Sequence, residues 1–214
     1  MKVWAVANQK GGVGKTTTAV NLAGQLALQG QRTLLVDMDP HGSMSTYFGL
    51  DPDTLEKSIY LLFQEQGPGL ERAARSILYP TVVDGIGLLP ASTALATLDR
   101  QLGTQEGKGL VLQKALQIFE RQFDYVLIDC PPLLGILMVN ALAACEHLIL
   151  PVQTEFLALK GLERMMRTLH MVMQARKESW PIPLSRPCLT GVLGRQWKVW
   201  PCCAKSMVNR CIAA

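Results

Sequence analysis

Short, almost unbroken apolar runs alternate along the chain with longer stretches in which apolar residues recur every three or four positions. Continuous apolar runs are typical of strands buried on both faces of a parallel sheet, and the wider spacing is typical of amphipathic helices. The predicted strands are Val3–Ala7, Thr33–Val36, Gly85–Pro90, Phe123–Asp129 and His147–Leu150. The predicted helices are Thr16–Gln29, Ser92–Arg100, Leu110–Phe123, Gly135–Cys145 and Phe156–Arg176, with helical or mixed patterning over Ser43–Leu50, Leu55–Gln64 and Leu70–Leu78. The alternation predicts an α/β domain.

The segment between the first predicted strand and the first predicted helix is rich in glycine and reads K-G-G-V-G-K-T-T from Lys10 to Thr17. A strand, a glycine-rich loop and a helix in this order form the setting that a phosphate-binding loop requires. Backbone N–H groups of the loop and the helix dipole would attract the β-phosphate of a nucleotide. Lys15 would reach the β- and γ-phosphate oxygens, and the Thr16 hydroxyl would take one position on Mg²⁺. A glycine-rich turn without a ligand is the alternative. The predicted nucleotide-binding residues are Gly11, Gly12, Val13, Gly14, Lys15, Thr16 and Thr17.

Acidic residues follow two of the predicted strands. Asp37 and Asp39 come directly after Thr33–Val36, and Asp129 ends the strand Phe123–Asp129. Ligands of open parallel sheets lie beyond the carboxyl ends of the strands, which places all three acids beside the glycine-rich loop. We expect Asp37 and Asp129 to support Mg²⁺ and Asp39 to hold or polarise the attacking water. The alternatives are an ordinary Asp-Pro turn at Asp39 and an arbitrary acid at the end of a core strand.

Three motifs resemble those of a known group. K-G-G-V-G-K-T-T resembles the deviant Walker A motif of the ParA/MinD group of P-loop ATPases, in which the first glycine of G-x-x-x-x-G-K-[ST] is absent. D-Y-V-L-I-D-C-P-P from Asp124 resembles the Walker B motif of the group, and P-V-Q-T-E from Pro151 resembles the ParA/Soj branch rather than the MinD branch. Where that branch reads D-x-D-P-Q-G, this chain has His41 in place of glutamine. His41 either touches the nucleotide region or is a solvated turn residue.

The resemblance implies a doubly wound, mostly parallel sheet flanked by helices, and slow ATP hydrolysis coupled to dimerisation. Two protomers would enclose two ATP molecules, with Lys10 of one protomer reaching the phosphates bound by the other. A cation supplied in this way stabilises charge on the transferring phosphoryl group. Lys10, Lys15 and Asp39 would be the catalytic residues. Asn140 would face the nucleotide site from the predicted helix Gly135–Cys145.

The resemblance to the ParA-like branch also implies partners. The ATP-bound homodimer would bind DNA without sequence preference, and a centromere-binding, ParB-like partner would discharge it. The expected function is plasmid or chromosome segregation. Two alternatives stay open. In the first, the same ATPase cycle positions another cargo, such as a chemoreceptor cluster or flagellar apparatus. In the second, the chain is an inactive truncated product.

Composition gives the expected setting of the domain. The 214 residues suffice for one α/β domain with a buried core. No apolar run is long enough to cross a membrane, and a predicted strand starts directly after Lys2, so we expect neither a signal peptide nor a membrane contact. We therefore expect a cytoplasmic protein. The six cysteines form no C-x-x-C pair and no histidine stands near them at zinc spacing, which favours free thiols.

The composition changes abruptly at Arg176. From there to the end, seven lysines and arginines face one acid, Glu178, a balance of +6, whereas residues 1–175 carry −2 of the net charge of +4. Three of the four tryptophans and four of the six cysteines also lie there, and the apolar periodicity is poor, so no element is predicted from residue 188 to 214. We expect a P-loop ATPase domain over residues 1–176 and an aberrant, poorly ordered tail over residues 177–214.

The family pattern would continue past the last predicted helix with a strand ending in P-T-x-[FY]-D-x-R. The segment Pro183–Gly191 can be reverse-translated so that reading one base earlier gives I-V-P-T-L-F-D-R, followed up to Val208 by an amphipathic helix. The hypothesis is that one base was lost, or two gained, between about Gln174 and Trp180. The alternative is a genuine basic, tryptophan-containing tail that binds DNA or anionic lipid.

Overall fold

A central sheet organises the structure, a computed structural model that describes residues 1–65, 67–98, 101, 108–152, 167, 188–193 and 196–199. The strand order is β3-β4-β2-β5-β1-β6-β7-β8. The strands are β1 (Lys2–Val6), β2 (Thr33–Asp37), β3 (Tyr79–Pro80), β4 (Ile86–Leu89), β5 (Tyr125–Asp129), β6 (His147–Val152), β7 (Cys188–Leu193) and β8 (Gln196–Val199). Every pair of adjacent strands from β4 to β7 is parallel. The edge strand β3 is antiparallel to β4, and the edge strand β8 is antiparallel to β7. The predicted mostly parallel α/β fold is confirmed.

Helices cover both faces of the sheet. Within the described residues they are α1 (Lys15–Leu28), α2 (Ser43–Tyr47), α3 (Tyr60–Gln64), α4 (Pro68–Ser76), α5 (Val111–Gln117) and α6 (Ile136–Ala144), with 3₁₀ helices at Thr93–Thr97 and Lys108–Leu110. Buried side chains of α1 and α2 pack in one apolar cluster, and those of α3 to α6 pack in a second. The fold is therefore doubly wound, as predicted.

The strands feed the two clusters alternately, because successive side chains of a strand point to opposite faces. In β2, Leu34 and Val36 belong to the cluster beneath α3 to α6, whereas Leu35 belongs to the cluster beneath α1. All five residues of β2 are buried. Burial of both faces is the physical reason for the unbroken apolar runs in the sequence.

The carboxyl ends of the central strands lie level with one another. In the parallel register Asp129 of β5 is opposite Asp37 of β2 on one side and opposite Val6 of β1 on the other. The amide of Met38 donates to the carbonyl of Asp129 at 2.9 Å, which continues the ladder past the strand ends. This register brings the acid-bearing ends of β2 and β5 next to the loop that follows β1.

Two predicted helices differ from the observed ones. The segment Ser92–Arg100 forms a 3₁₀ helix at Thr93–Thr97, where the amide of Thr93 donates to the carbonyl of Pro52 at 3.1 Å and Leu95 is fully buried. The segment Leu110–Phe123 is α-helical over Val111–Gln117 and then continues in turns closed by i to i+3 bonds. Helical spacing in the sequence does not distinguish these tighter turns from an α-helix.

Two strands lie in the region where the apolar periodicity of the sequence is poor. β7 pairs in parallel with β6 from Cys188 to Leu193, and β8 pairs antiparallel with β7. Backbone pairing to a neighbouring strand stabilises such a segment without any periodicity in its own sequence. The predicted helix Phe156–Arg176 lies outside the described residues apart from Arg167, as does the tail apart from these two strands.

Two expectations about the setting concern membrane contact and cysteine chemistry. No helix within the described part of the chain is long and apolar enough to span a bilayer. Cys130 is a buried free thiol next to Asp129, and burial raises its pKa well above the usual value. A thiol in this state is a small apolar core residue rather than a nucleophile.

Candidate nucleotide-binding site

The glycine-rich loop leads from β1 directly into α1. Gly12 and Gly14 adopt φ of 71° and 87°, the left-handed region that glycine enters without the steric cost other residues have. Gly14 caps α1, and its carbonyl accepts the first helical bond from the amide of Thr18 at 2.9 Å. The amide groups at the start of α1 therefore point out of the helix at the loop, as phosphate binding requires.

The predicted phosphate-binding residues differ in exposure. Lys15 is 8% exposed at the first position of α1. Val13, Gly14 and Thr16 are half-buried. The exposed members are Lys10, Gly11, Gly12 and Thr17. The loop thus presents much of its backbone to solvent, whereas Lys15 is buried.

Asn8 fixes the loop from below, and sequence analysis did not single it out. Its side chain is 5% exposed. Its Oδ1 accepts from the backbone amide of Lys10 at 2.9 Å, and its Nδ2 donates to the carbonyl of Pro151 in β6 at 2.8 Å. Asn8 therefore ties the start of the loop to the end of a neighbouring strand. Nothing in a single sequence marks an asparagine for this role, because the partner is 143 positions away.

Asp129 lies directly beneath the start of α1. Its Oδ2 accepts from the hydroxyl of Thr16 at 2.5 Å, whereas its Oδ1 is buried and has no hydrogen-bond partner within the described structure. Burial raises the pKa of Asp129 to about 7; the Thr16 hydroxyl and Lys15 oppose this effect, and the negative charge of Asp37 adds to it. A buried carboxylate oxygen without a donor is costly unless a cation or a proton satisfies it.

Asp37 is fully buried and, unlike Asp129, is well supplied with donors. Its Oδ2 accepts from the amide of Ser45 at 2.8 Å and from the Ser45 hydroxyl at 2.7 Å. Its Oδ1 accepts from the amide of Asp39 at 3.2 Å. Burial raises the pKa of Asp37 to about 6 against the lowering effect of these hydrogen bonds. Ser45, which also accepts from the amide of Ala91 at 2.9 Å, is a further residue that sequence analysis missed.

The residues present fit a magnesium ion. Thr16 donates to Asp129, and Asp37 lies opposite Asp129 at the carboxyl ends of β2 and β5. The unpartnered Oδ1 of Asp129 is an oxygen ligand of the kind that Mg²⁺ takes. No group of three or more His, Cys, Asp or Glu able to hold a metal occurs in the described residues. Mg²⁺ binds proteins through one or two carboxylates together with substrate phosphates. The magnesium roles of the three residues stay predictions.

Asp39 lies at the rim of the site, with 14% of its side chain exposed. Its Oδ1 accepts from the backbone amide of His41 at 3.1 Å and contacts Nδ1 of the His41 ring at 2.9 Å. The His41 side chain itself is 81% exposed. Asp39 thus lies in a turn, and the side chains of Asp39 and His41 contact each other across it. The expected role of Asp39 in orienting water stays a prediction.

The structure corrects the expectation for Asn140. This residue of α6 is fully buried, and both of its amide hydrogens are donated, to the carbonyls of Lys108 and Ile136 at 2.8 Å each. Its Oδ1 accepts from the amide of Leu112 at 3.1 Å. The side chain therefore joins α6 to the start of α5, and no donor of its amide is left for a nucleotide.

A glycine-rich loop at a helix start, followed by a buried lysine and by a threonine that donates to a strand-end aspartate, is the pattern of P-loop nucleotide-binding proteins. A family model described as an AAA domain matches residues 1–182. The chain belongs to this family and is a P-loop ATPase domain of the ParA/MinD type.

Curated relatives match most of this chain but extend beyond it. The chromosome partitioning protein ParA of Myxococcus xanthus is 39% identical over 173 residues, which are 81% of this chain and 59% of that protein. The sporulation initiation inhibitor protein Soj of Bacillus subtilis is 38% identical over 171 residues, 80% of this chain and 66% of that protein. The chain thus spans less than two thirds of the length of these relatives.

Solved structures share the fold. Cobyrinic acid a,c-diamide synthase from Mycobacterium smegmatis, with a bound ATP analog and magnesium, has a TM-score of 0.76 at 38% identity, covering 90% of this chain and 72% of that one. A plasmid partition protein from Borrelia burgdorferi has a TM-score of 0.70 at 25% identity, covering 90% of this chain and 77% of that one. Both similarities support the assignment of the fold.

Proposed function

We propose that this chain binds ATP and Mg²⁺, hydrolyses ATP slowly, and drives plasmid or chromosome segregation through ATP-dependent dimerisation. The observation that carries the ATPase part is the hydrogen bond from the half-buried Thr16 to the buried Asp129, whose second carboxylate oxygen has no donor in the described structure. The names of the ParA and Soj relatives and of the plasmid partition protein support the partition part.

The residues of one protomer have separate tasks in this proposal. Loop amides and Lys15 would bind the β- and γ-phosphates, while Thr16, Asp129 and Asp37 would hold the metal. Bound Mg²⁺ would neutralise charge on the phosphate oxygens. Asp39 accepts a hydrogen bond from the attacking water and so orients it in line with the γ-phosphate.

The second protomer completes the site. Lys10 is exposed in the loop, with its backbone amide held by Asn8, and is the cation that reaches the phosphates bound by the partner. A positive charge supplied at that position stabilises the transferring phosphoryl group. Hydrolysis then depends on dimerisation, which gives the ATP-bound state a lifetime that a partner controls.

The proposed partners are those that the similarity to the ParA/Soj branch implies. The ATP-bound homodimer binds duplex DNA without sequence preference, and a ParB-like, centromere-binding protein stimulates hydrolysis. The working place is the cytoplasm, on the nucleoid. The similarity to ParA and Soj proteins supports these partners.

Binding of a fluorescent ATP analogue to the full chain, followed by steady-state hydrolysis with and without duplex DNA, tests the proposal. We expect Lys15→Ala to lose measurable binding, because a buried ammonium beside the phosphates is removed. Lys114→Ala, which removes an exposed lysine of α5, is the control and keeps the parent affinity. A parent chain that binds no ATP contradicts the ATPase proposal. Hydrolysis that DNA does not raise contradicts the DNA-dependent part alone.

A further inference from the structure

The carboxylate of Asp39 is held from one side. Both contacts from His41, the backbone amide at 3.1 Å and ring Nδ1 at 2.9 Å, go to Oδ1. No hydrogen bond to Oδ2 occurs within the described part of the chain. The backbone also closes here, because the amide of Gly42 donates to the carbonyl of Asp39 at 2.8 Å. One carboxylate oxygen is therefore fixed and the other is left to accept from water.

We propose that His41 is a positioning residue for Asp39. Its Nδ1–H donates to Oδ1, and this second donor, added to the backbone amide, holds the carboxylate plane so that Oδ2 accepts from the attacking water. The inference rests on the proposed function, in which Asp39 orients that water. His41 touches neither nucleotide nor metal in this mechanism and acts only through Asp39.

The exposure of His41 separates this role from a role in folding. With 81% of its side chain in solvent, the ring contributes little apolar burial, and replacing it leaves the core unchanged. The backbone contact to Oδ1 remains in every variant, because it does not depend on the side chain. Substitution of His41 therefore removes one of the two donors to Oδ1 and little else.

The experiment measures kcat and KM for Mg²⁺·ATP on the full chain carrying substitutions at residue 41. We expect His41→Ala to lower kcat about threefold to tenfold, the factor that one net hydrogen bond corresponds to, with an unchanged KM. We expect His41→Asn to recover most of the loss, because Nδ2 of asparagine is separated from Cα by the same number of bonds as Nδ1 of histidine and can donate to Oδ1. Thr46→Ala, which alters an exposed residue of α2, is the control and keeps the parent kcat.

Asp39→Ala separates failure of this inference from failure of the proposed function. If Asp39→Ala hydrolyses ATP at the parent rate, or the parent does not hydrolyse ATP, the proposed role of Asp39 fails and the inference fails with it. If Asp39→Ala is inactive while His41→Ala keeps the parent kcat, only the inference is overturned. A loss in His41→Ala that His41→Asn does not recover, or that appears in KM alone, also overturns it.

Discussion

At the scale of single residues, the site depends on two carboxylates that the fold removes from water. Burial raises the pKa of Asp37 to about 6 and that of Asp129 to about 7. Asp37 receives three hydrogen bonds, whereas Asp129 receives one and leaves Oδ1 without a donor in the described structure. In the absence of a cation, the buried Oδ1 of Asp129 therefore makes the free energy of folding of the protein less favourable. This difference identifies Asp129 as the residue whose environment a bound cation improves most.

We expect Asp129→Asn to uncouple nucleotide binding from magnesium. The amide oxygen still accepts from Thr16, but the charge that would attract the cation is gone. Without ligand, the melting temperature should be no lower than that of the parent, because a desolvated charge has been removed. The added stabilisation that Mg²⁺ gives in the presence of a non-hydrolysable ATP analogue should disappear. Thermal melting with and without EDTA measures both effects.

The control for this prediction is Asp84→Asn, which neutralises an exposed acid in the turn before β4. It should keep the full magnesium-dependent shift in melting temperature. A full shift in Asp129→Asn would contradict the assignment of that residue to the metal.

At the scale of secondary-structure elements, the P-loop is held by side chains of the elements around it. Asn8 joins the loop to the end of β6, and Ser45 joins Asp37 to α2 and to Ala91, the second residue after β4. These bonds order the loop and the acids before any ligand arrives, so less conformational entropy is lost on binding. The support of the site therefore comes from the ends of β1, β2, β4 and β6 rather than from the loop alone.

Asn8→Ala tests the importance of this support. The substitution leaves the amide of Lys10 without its acceptor, so we expect the free energy of unfolding to fall by about 1–3 kcal/mol and ATP affinity to fall with it. Urea denaturation and titration with a fluorescent ATP analogue measure the two effects. The matched control is Asn21→Ala, which removes a bond from Nδ2 to the carbonyl of Thr17 on the exposed side of α1. Equal effects of the two substitutions would show that Asn8 has no special role.

Asn140→Ala tests the corrected role of a residue that the family resemblance placed at the nucleotide. Three hydrogen bonds of a fully buried side chain are lost, so we expect a loss of about 2–4 kcal/mol in the free energy of unfolding. ATP affinity of the folded protein should stay at the parent value. Asn140→Ser, which keeps a small polar side chain but cannot make all three hydrogen bonds, serves if the alanine variant does not fold. A selective loss of ATP affinity in either variant would contradict the correction.

Whether the sequence predicts a feature of the structure depends on how far apart along the chain the interacting residues are. The P-loop and the strands β1, β2, β5 and β6 are local patterns, so the sequence predicted them and the class of site. Asn8 and Asn140 act across 143 and up to 32 positions, and a single sequence contains no signal for such pairs. The strand β7 depends likewise on the backbone of β6 rather than on its own pattern.

At the scale of the whole molecule, the chain divides in composition near Arg176. We propose that residues 1–176 form the ATPase domain and that residues 177–214 are read in a shifted frame. The match to the family reaches residue 182, and the ParA and Soj relatives match over 173 and 171 residues, which supports a change in this region. The balance of +6 from Arg176 onward would then follow from the reading frame and would not indicate a DNA-binding surface.

The DNA sequence across codons 170 to 215 tests this division directly. We expect the frame one base earlier to stay open past Val208 and to encode I-V-P-T-x-F-D-R over the codons of Leu184 to Gly191, because the existing codons permit that reading. The first two bases of each present codon become the last two of the alternative codon, so chance agreement over eight residues is strongly limited. Stop codons or an unrelated sequence in that frame would contradict the frameshift. The basic residues and tryptophans after Arg176 would then belong to a genuine segment, and binding of the full chain to duplex DNA and to anionic vesicles would become the measurement that assigns them.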